Sequence, residues 1–237
     1  MSETVARDIV HDIVSRRLNT GDRLPPEAAM LEEYGVSRES LREGLRLLEV
    51  QGLITLRRGP GGGPIVGRVD PANLGRVSTL FYHLAGGTYA ELFEAWIVTE
   101  PILAERAARN EDRAAVKAAM APFSRPPPAG QDPDGELLDF VESHVNFHAV
   151  VAKLAENRVL ELMLESIGQI VTHHVVVNAD PRDLQDDIDR DHLQLARAIA
   201  AGQANRARTL MADHIERMVD HYRSEIGDQM HDFIEWR

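Results

Sequence analysis

Residues 27–53 read EAAMLEEYGVSRESLREGLRLLEVQGL, and two positions in that run decide the fold. Gly35 tolerates the left-handed backbone of a helix end, so it closes a short helix that starts at Leu24-Pro25-Pro26-Glu27. Two residues later Ser37, a hydroxyl N-cap, opens another helix over 38–51. Leu41, Leu45 and Leu48 form the buried stripe of that second helix, and Gly52 stops it. Two helices joined by a three-residue turn have the spacing of a helix-turn-helix. Arg38, Arg42 and Arg46 share the edge opposite the leucines. Arginine forks onto guanine O6 and N7 or grips phosphate in two places. Ser37 and Ser40 can donate to phosphate at the positive end of the helix dipole.

Working outward, Val5, Ile9, Ile13 and Val14 predict a preceding helix over about 3–18, ended by Thr20-Gly21-Asp22. On the other side, 53–57 and 64–67 read as short strands joined by Arg58-Gly59-Pro60-Gly61-Gly62-Gly63, a glycine-rich wing. Exposed arginines on an amphipathic helix are usually only a solvated face. The turn, the cap and the wing together turn the reading to double-stranded DNA.

The net charge of −12 does not oppose this. Residues 1–69 carry ten arginines against ten carboxylates, and the rest of the chain carries sixteen basic against twenty-eight acidic residues. All the excess negative charge therefore lies outside the reader, which needs positive charge only on the face that meets phosphate.

After a linker at 69–73, the chain reads as helix over 74–85, 88–109, 111–123, 136–155, 157–178, 183–201 and 204–232, without an internal repeat. The expected architecture is mostly α. A winged helix-turn-helix with a two-stranded wing occupies 1–69, and an all-α antiparallel bundle occupies 74–237. The proline-rich loop at 124–135 is expected to be a surface connector. There are no cysteines, and neither an apolar run of membrane-spanning length nor a signal-peptide core is present. A cytoplasmic protein with no membrane partner is the expectation.

Four of the ten histidines form a pattern. His144 and His148 leave one face of a helix at i, i+4. His192 lies ten residues before Gly202 and His214 twelve after it. If Gly202 turns an antiparallel helix pair, the two arrive within about 3 Å of the same height at ~1.5 Å rise per residue. Ile188, Leu195 and Ile199 share the stripe of His192, as Leu210, Met211 and Met218 share that of His214, so the rings point inward. A lone buried histidine usually just satisfies a hydrogen bond, but four at consistent heights suit a divalent metal such as Zn²⁺ or Ni²⁺.

The run 21–27 (GDRLPPE), 34–43 (YGVSRESLRE) and Leu48-Glu49 with Gly52-Leu53-Ile54 resembles the GntR family of bacterial regulators. That resemblance implies DNA contacts at Ser37, Arg38, Ser40, Arg42, Arg58 and Gly59. Ala28 departs from it, standing where some members carry a further DNA-contacting arginine. Most of 88–220 resembles the all-helical FCD effector domain of the FadR-type branch. The matching stretches are Glu94 to Glu100-Pro101, Asn146-Phe147-His148 with Asn157, Asp191-His192 with Ala198-Ile199, and His214-Ile215. Many such domains hold a divalent metal on one aspartate and three histidines beside a small organic acid. His148, His192 and His214 match the histidines, and His144 stands in the aspartate's place. Trp96 replaces an arginine that grips the effector carboxylate in many members.

Four neutral imidazoles would leave the ion's 2+ charge uncompensated, which favours a carboxylate effector. The expected function is that of a ligand-responsive repressor, a homodimer whose two readers meet a pseudo-palindromic operator. One alternative is a purely structural metal with no effector. The other is a metal-dependent hydrolase, disfavoured because Glu142 and Asp191, beside the ligands in sequence, are expected to point off the inward face and no HExxH is present.

Overall fold

The computed structural model describes residues 1–57, 59, 62–125, 137–176 and 179–236, with backbone only at 138–140 and 142. Arg58 and most of the proline-rich loop (126–136) lie outside the described residues. The chain divides into two compact units, Met1–Asn73 and Leu74–Arg237.

In the first unit, α1 (Ser2–Ser15), α2 (Glu27–Tyr34) and α3 (Arg38–Val50) pack with a hairpin of β1 (Ile54–Arg57) and β2 (Gly63–Val66). The strands pair antiparallel, from Ile54 opposite Val66 to Arg57 opposite Gly63. Val5, Ile9, Leu24, Met30, Leu41, Leu45, Leu48, Ile54 and Val66 close a small core. Gly35 ends α2 at φ 61°, and the Ser37 side chain caps α3. Gly44 has a packing role: a Cβ there would lie 3.0 Å from the Ser2 carbonyl oxygen, so α1 can cross α3 closely only over a glycine.

The end of α1 differs from expectation. It stops at Ser15, with Arg17 at φ 54°. The segment that follows is recruited to the hairpin: Gly21 N–H donates to Val66 O at 2.9 Å and Leu24 N–H to Pro64 O at 3.0 Å. The amides of Arg17 and Leu18 turn back onto α1, to Val14 O and Ile13 O, and close the helix before the chain reaches β2.

The second unit is all helical apart from an isolated bridge. Its α4 (Pro71–Ala85) begins just before the unit boundary. It continues through α5 (Tyr89–Arg109), α6 (Arg113–Met120), α7 (Leu137–Leu154), α8 (Arg158–His174), α9 (Gln185–Ala200) and α10 (Ala204–Ile226). A capping box of Thr88 and Glu91 starts α5, which lies centrally against α7, α8, α9 and α10. Gly202, at φ 73°, turns α9 into α10. Arg113 donates to Ala108 O and Asn110 O from Nη1, and to Ile199 O and Ala200 O from Nη2. One guanidinium thus satisfies the carbonyl ends of two helices. Two expected helices end in tighter turns, with 3₁₀ segments at Ala121–Phe123 and Gly227–His231, and a third is preceded by one at Pro181–Leu184. Among the described residues no helix is long and apolar enough to cross a membrane.

Candidate functional site

In the first unit, the N-cap fixes the start of the reading edge. Ser40 N–H donates to Ser37 Oγ at 3.2 Å, and the two hydroxyls lie 3.0 Å apart. Arg38 is exposed on the first turn. Arg42 is 69% exposed and reaches Glu27 of α2, Nη2 to Oε1 3.3 Å. Arg46 pairs with Glu49 at 3.2 Å, and Glu49 in turn accepts from Leu56 N–H. Gly59 adopts φ 96° with open space around it, and Arg58 falls outside the described residues. The arginine edge is therefore present, with Arg42 and Arg46 each paired to a carboxylate of its own unit.

In the second unit, α7 presents His144 and His148 to His192 of α9 and His214 of α10. Ring centroids lie between 4.5 Å (His144–His148) and 5.6 Å (His144–His214). One nitrogen from each ring falls within 4.8 Å of all the others. Phe147 stacks on His192 at 4.0 Å and walls the cluster. Two ligands on opposite sides of one ion, at bonds of about 2.1 Å, stand about 4.2 Å apart. The space between the rings thus suits a single ion after slight contraction.

The donor set suits it as well. His144 Nδ1, both nitrogens of His148, His192 Nε2 and His214 Nε2 are buried without a hydrogen bond. Together with Glu100 Oε2 they are all the orphaned buried side-chain nitrogens and oxygens among the described residues. Each such atom costs about 1–3 kcal/mol unless something binds it. Burial, then the neighbouring rings, pushes His144 and His192 well below the ordinary imidazole range. Burial also lowers His214, against the opposing effect of its hydrogen bond to Asp191. His144, His192 and His214 are consequently neutral at pH 7, with lone pairs available to a cation.

The structure corrects the sequence reading of the carboxylates. Asp191 does not point away; it is buried, and its Oδ2 lies 3.3 Å from His214 Nδ1 and 3.3 Å from Arg217 Nη2. The side chain of Glu142 lies outside the described residues. Glu100, only 1% exposed, went unassigned by sequence reasoning. Its Oε1 stands 2.8 Å from His148 Nδ1 and accepts the indole N–H of Trp96 at 3.1 Å. A charged residue on the otherwise apolar inner face of α5, four after a tryptophan, was the available signal. The ion's charge would therefore not be left wholly uncompensated by protein. Outside the cluster, His174 is buried with Nδ1 3.0 Å from Tyr89 Oη, and His173 Nδ1 lies 2.8 Å from its own helix at Gln169 O.

Comparison with known proteins agrees with both units. Residues 1–62 match the model of bacterial regulatory proteins of the gntR family, and 91–217 match the FCD domain. The Uxu operon regulator of Haemophilus influenzae is 27% identical over 218 residues, covering 86% of this chain and 75% of its own length. The Glc operon transcriptional activator of Escherichia coli K12 is 26% identical over 222 residues, covering 90% and 85%. The solved structure of a Streptococcus agalactiae GntR protein shares the fold, with a TM-score of 0.65 at 22% identity over 92% of this chain and 98% of that one. The chain belongs to the GntR family of DNA-binding transcription regulators, in the branch that joins a winged helix-turn-helix to an FCD domain.

Proposed function

We propose that this regulator is a ligand-responsive repressor whose second unit holds a divalent metal, Zn²⁺ or Ni²⁺, on His144, His148, His192 and His214. In this reading 1–69 is the reader and 74–237 the effector-binding and dimerising domain. The observation that carries it is the coincidence at one point of the orphaned buried side-chain nitrogens among the described residues, with His144 and His192 held neutral. A protein interior retains such a set when a ligand completes it. Even with Glu100 beside the rings, a divalent ion keeps net positive charge, so a small carboxylate is the effector class that fits an open coordination position. The ion would supply that Lewis-acidic position and tie α7, α9 and α10 together. Effector capture there would bias the pose of the readers and release DNA.

On the DNA side, Ser37, Arg38, Ser40, Arg42, Arg58 and Gly59 are the proposed contacts, with two copies of the chain on a pseudo-palindromic operator. Repression is the proposed sign, although one relative carries the name of an activator. The hydrolase alternative has no support in a family of regulators.

The test is to load purified protein with Zn²⁺ or Ni²⁺, measure bound metal per chain, and screen carboxylic acids by thermal shift. One ion per chain is expected, with an acid that raises Tm only in the loaded form and weakens operator binding. No stoichiometric metal sinks the reading, and metal without any acid response leaves the ion a structural role.

A further inference from the structure

Two of the four imidazoles have a carboxylate at Nδ1, and the two carboxylates differ. Asp191 Oδ2 lies 3.3 Å from His214 Nδ1 and leaves His214 Nε2 without a partner. Glu100 Oε1 lies 2.8 Å from His148 Nδ1 and leaves His148 Nε2 likewise without one. The charge on Asp191 is already matched by Arg217 at 3.3 Å. Glu100 has no arginine or lysine partner among the described residues. Its one conventional hydrogen bond comes from Trp96 Nε1, and its Oε2 is a buried orphan. A fully buried, unmatched carboxylate is costly to keep in a helix interior unless it serves a cation nearby.

We infer that Glu100 is a positioning residue for the metal centre: it accepts the Nδ1 proton of His148, fixes the tautomer that offers Nε2 to the ion, and supplies the negative charge that four neutral imidazoles lack. This rests on the metal reading above. The parallel with His214 argues for it, since the same nitrogen faces a carboxylate in both rings and the same nitrogen is left toward the cluster. Trp96 has a part too, because its indole N–H holds Oε1 from the preceding turn of α5 and so aims the carboxylate at the ring. The His148 N–H direction does not meet Oε1 squarely, so the contact is close without being a well-aligned hydrogen bond. Imidazole ligands in metal sites commonly have a carboxylate on the far nitrogen, and its loss costs about 10–100-fold in metal affinity.

The experiment compares Zn²⁺ affinity, by competition with a chromophoric chelator, in wild type, Glu100→Gln and Asp191→Asn. Glutamine keeps the shape of Glu100 but removes its charge, and its amide oxygen is a weaker acceptor. A 10–100-fold loss in Glu100→Gln, with the metal-free fold retained by circular dichroism, is the expected result. Long-range ¹⁵N–¹H correlation spectra of Zn²⁺-loaded wild type give a second readout independent of any variant. They should show His148 as the Nδ1–H tautomer, with Nε2 metal-bound. Wild-type affinity in Glu100→Gln overturns the inference and leaves the metal reading standing. So does a His148 bound through Nδ1, and this measurement decides even if the variant fails to fold. Wild type that binds neither Zn²⁺ nor Ni²⁺ overturns the metal reading itself, and this inference with it.

Discussion

Arg42 stands mostly in solvent on α3, yet its guanidinium already has a carboxylate partner in Glu27, one helix away. An exposed pair of this kind contributes little to stability, so exchanging Glu27 for a DNA phosphate or a guanine edge is cheap. Removing Arg42 should therefore leave folding intact and damage recognition. Arg42→Ala is expected to weaken operator binding by roughly 10–100-fold, the range of one bidentate contact, with Tm within a degree or two of wild type. Unchanged binding in a fluorescence-anisotropy titration would remove Arg42 from the interface. The imidazoles make a contrasting prediction at this scale. His144, His192 and His214 hold their folded-state pKa values below the ordinary 6.5. As pH falls below 6.5, the unfolded chain binds protons that the folded chain refuses. Stability of the metal-free protein is thus fully present above pH 6.5 and is lost below it, with a limiting slope of about 1.4 kcal/mol per pH unit for each ring. A flat Tm of metal-free protein between pH 7.5 and 5 would contradict this.

At the scale of elements, Gly44 decides how closely α1 crosses α3. A larger side chain must push against the Ser2 carbonyl and the Ala6 amide, which are backbone and cannot swing aside. Gly44→Leu is expected to cost about 1–3 kcal/mol of first-unit stability by overpacking, read as a lower denaturation midpoint, while Zn²⁺ uptake by the second unit is retained. The same element shows what sequence could reveal. Ser37 and Gly35 marked the boundaries of α2 and α3 because capping is local, and the leucine stripe marked the buried face because helical periodicity is local. The end of α1 was illegible, since residues 21–24 hydrogen-bond to β2, forty residues away in sequence. The histidine convergence was legible because a single glycine turn fixes the register of α9 against α10. For Glu100 the spacing within α5 signalled an inward-facing charge but not its partner, because that depends on how α5 packs across α7. Asp191 was misjudged for a related reason: rotation about α9 alone points it aside, but α10 crosses there and brings His214 to it.

At the scale of the whole molecule, the proposed pairing of two copies needs a surface, and α4 offers one. Gly75 and Thr79 are buried, and a Cβ at Gly75 would meet Ser166 of α8, so this face of α4 packs inward. The opposite face carries Leu74, Val77, Phe81 and Leu84, all exposed, with Phe81 at 66% and Leu84 at 77%. Their spacing of three, four and three residues is that of a helix seam meant for another helix. Four large apolar side chains in a row on a monomer's surface are a liability unless something covers them. A second copy of this chain is the occupant that fits the proposed pseudo-palindromic operator, since a symmetric seam would pair with itself. Phe81→Asp together with Leu84→Glu should therefore shift the protein from dimer to monomer in sedimentation equilibrium. Metal uptake should be unchanged, because neither residue contacts the histidines. Operator binding should fall far more than any single reader contact can account for, because the second half-site is then no longer held at high effective concentration. A double variant that stays dimeric would place the interface elsewhere. One that becomes monomeric yet binds a full operator as tightly as wild type would show that the two readers do not act together.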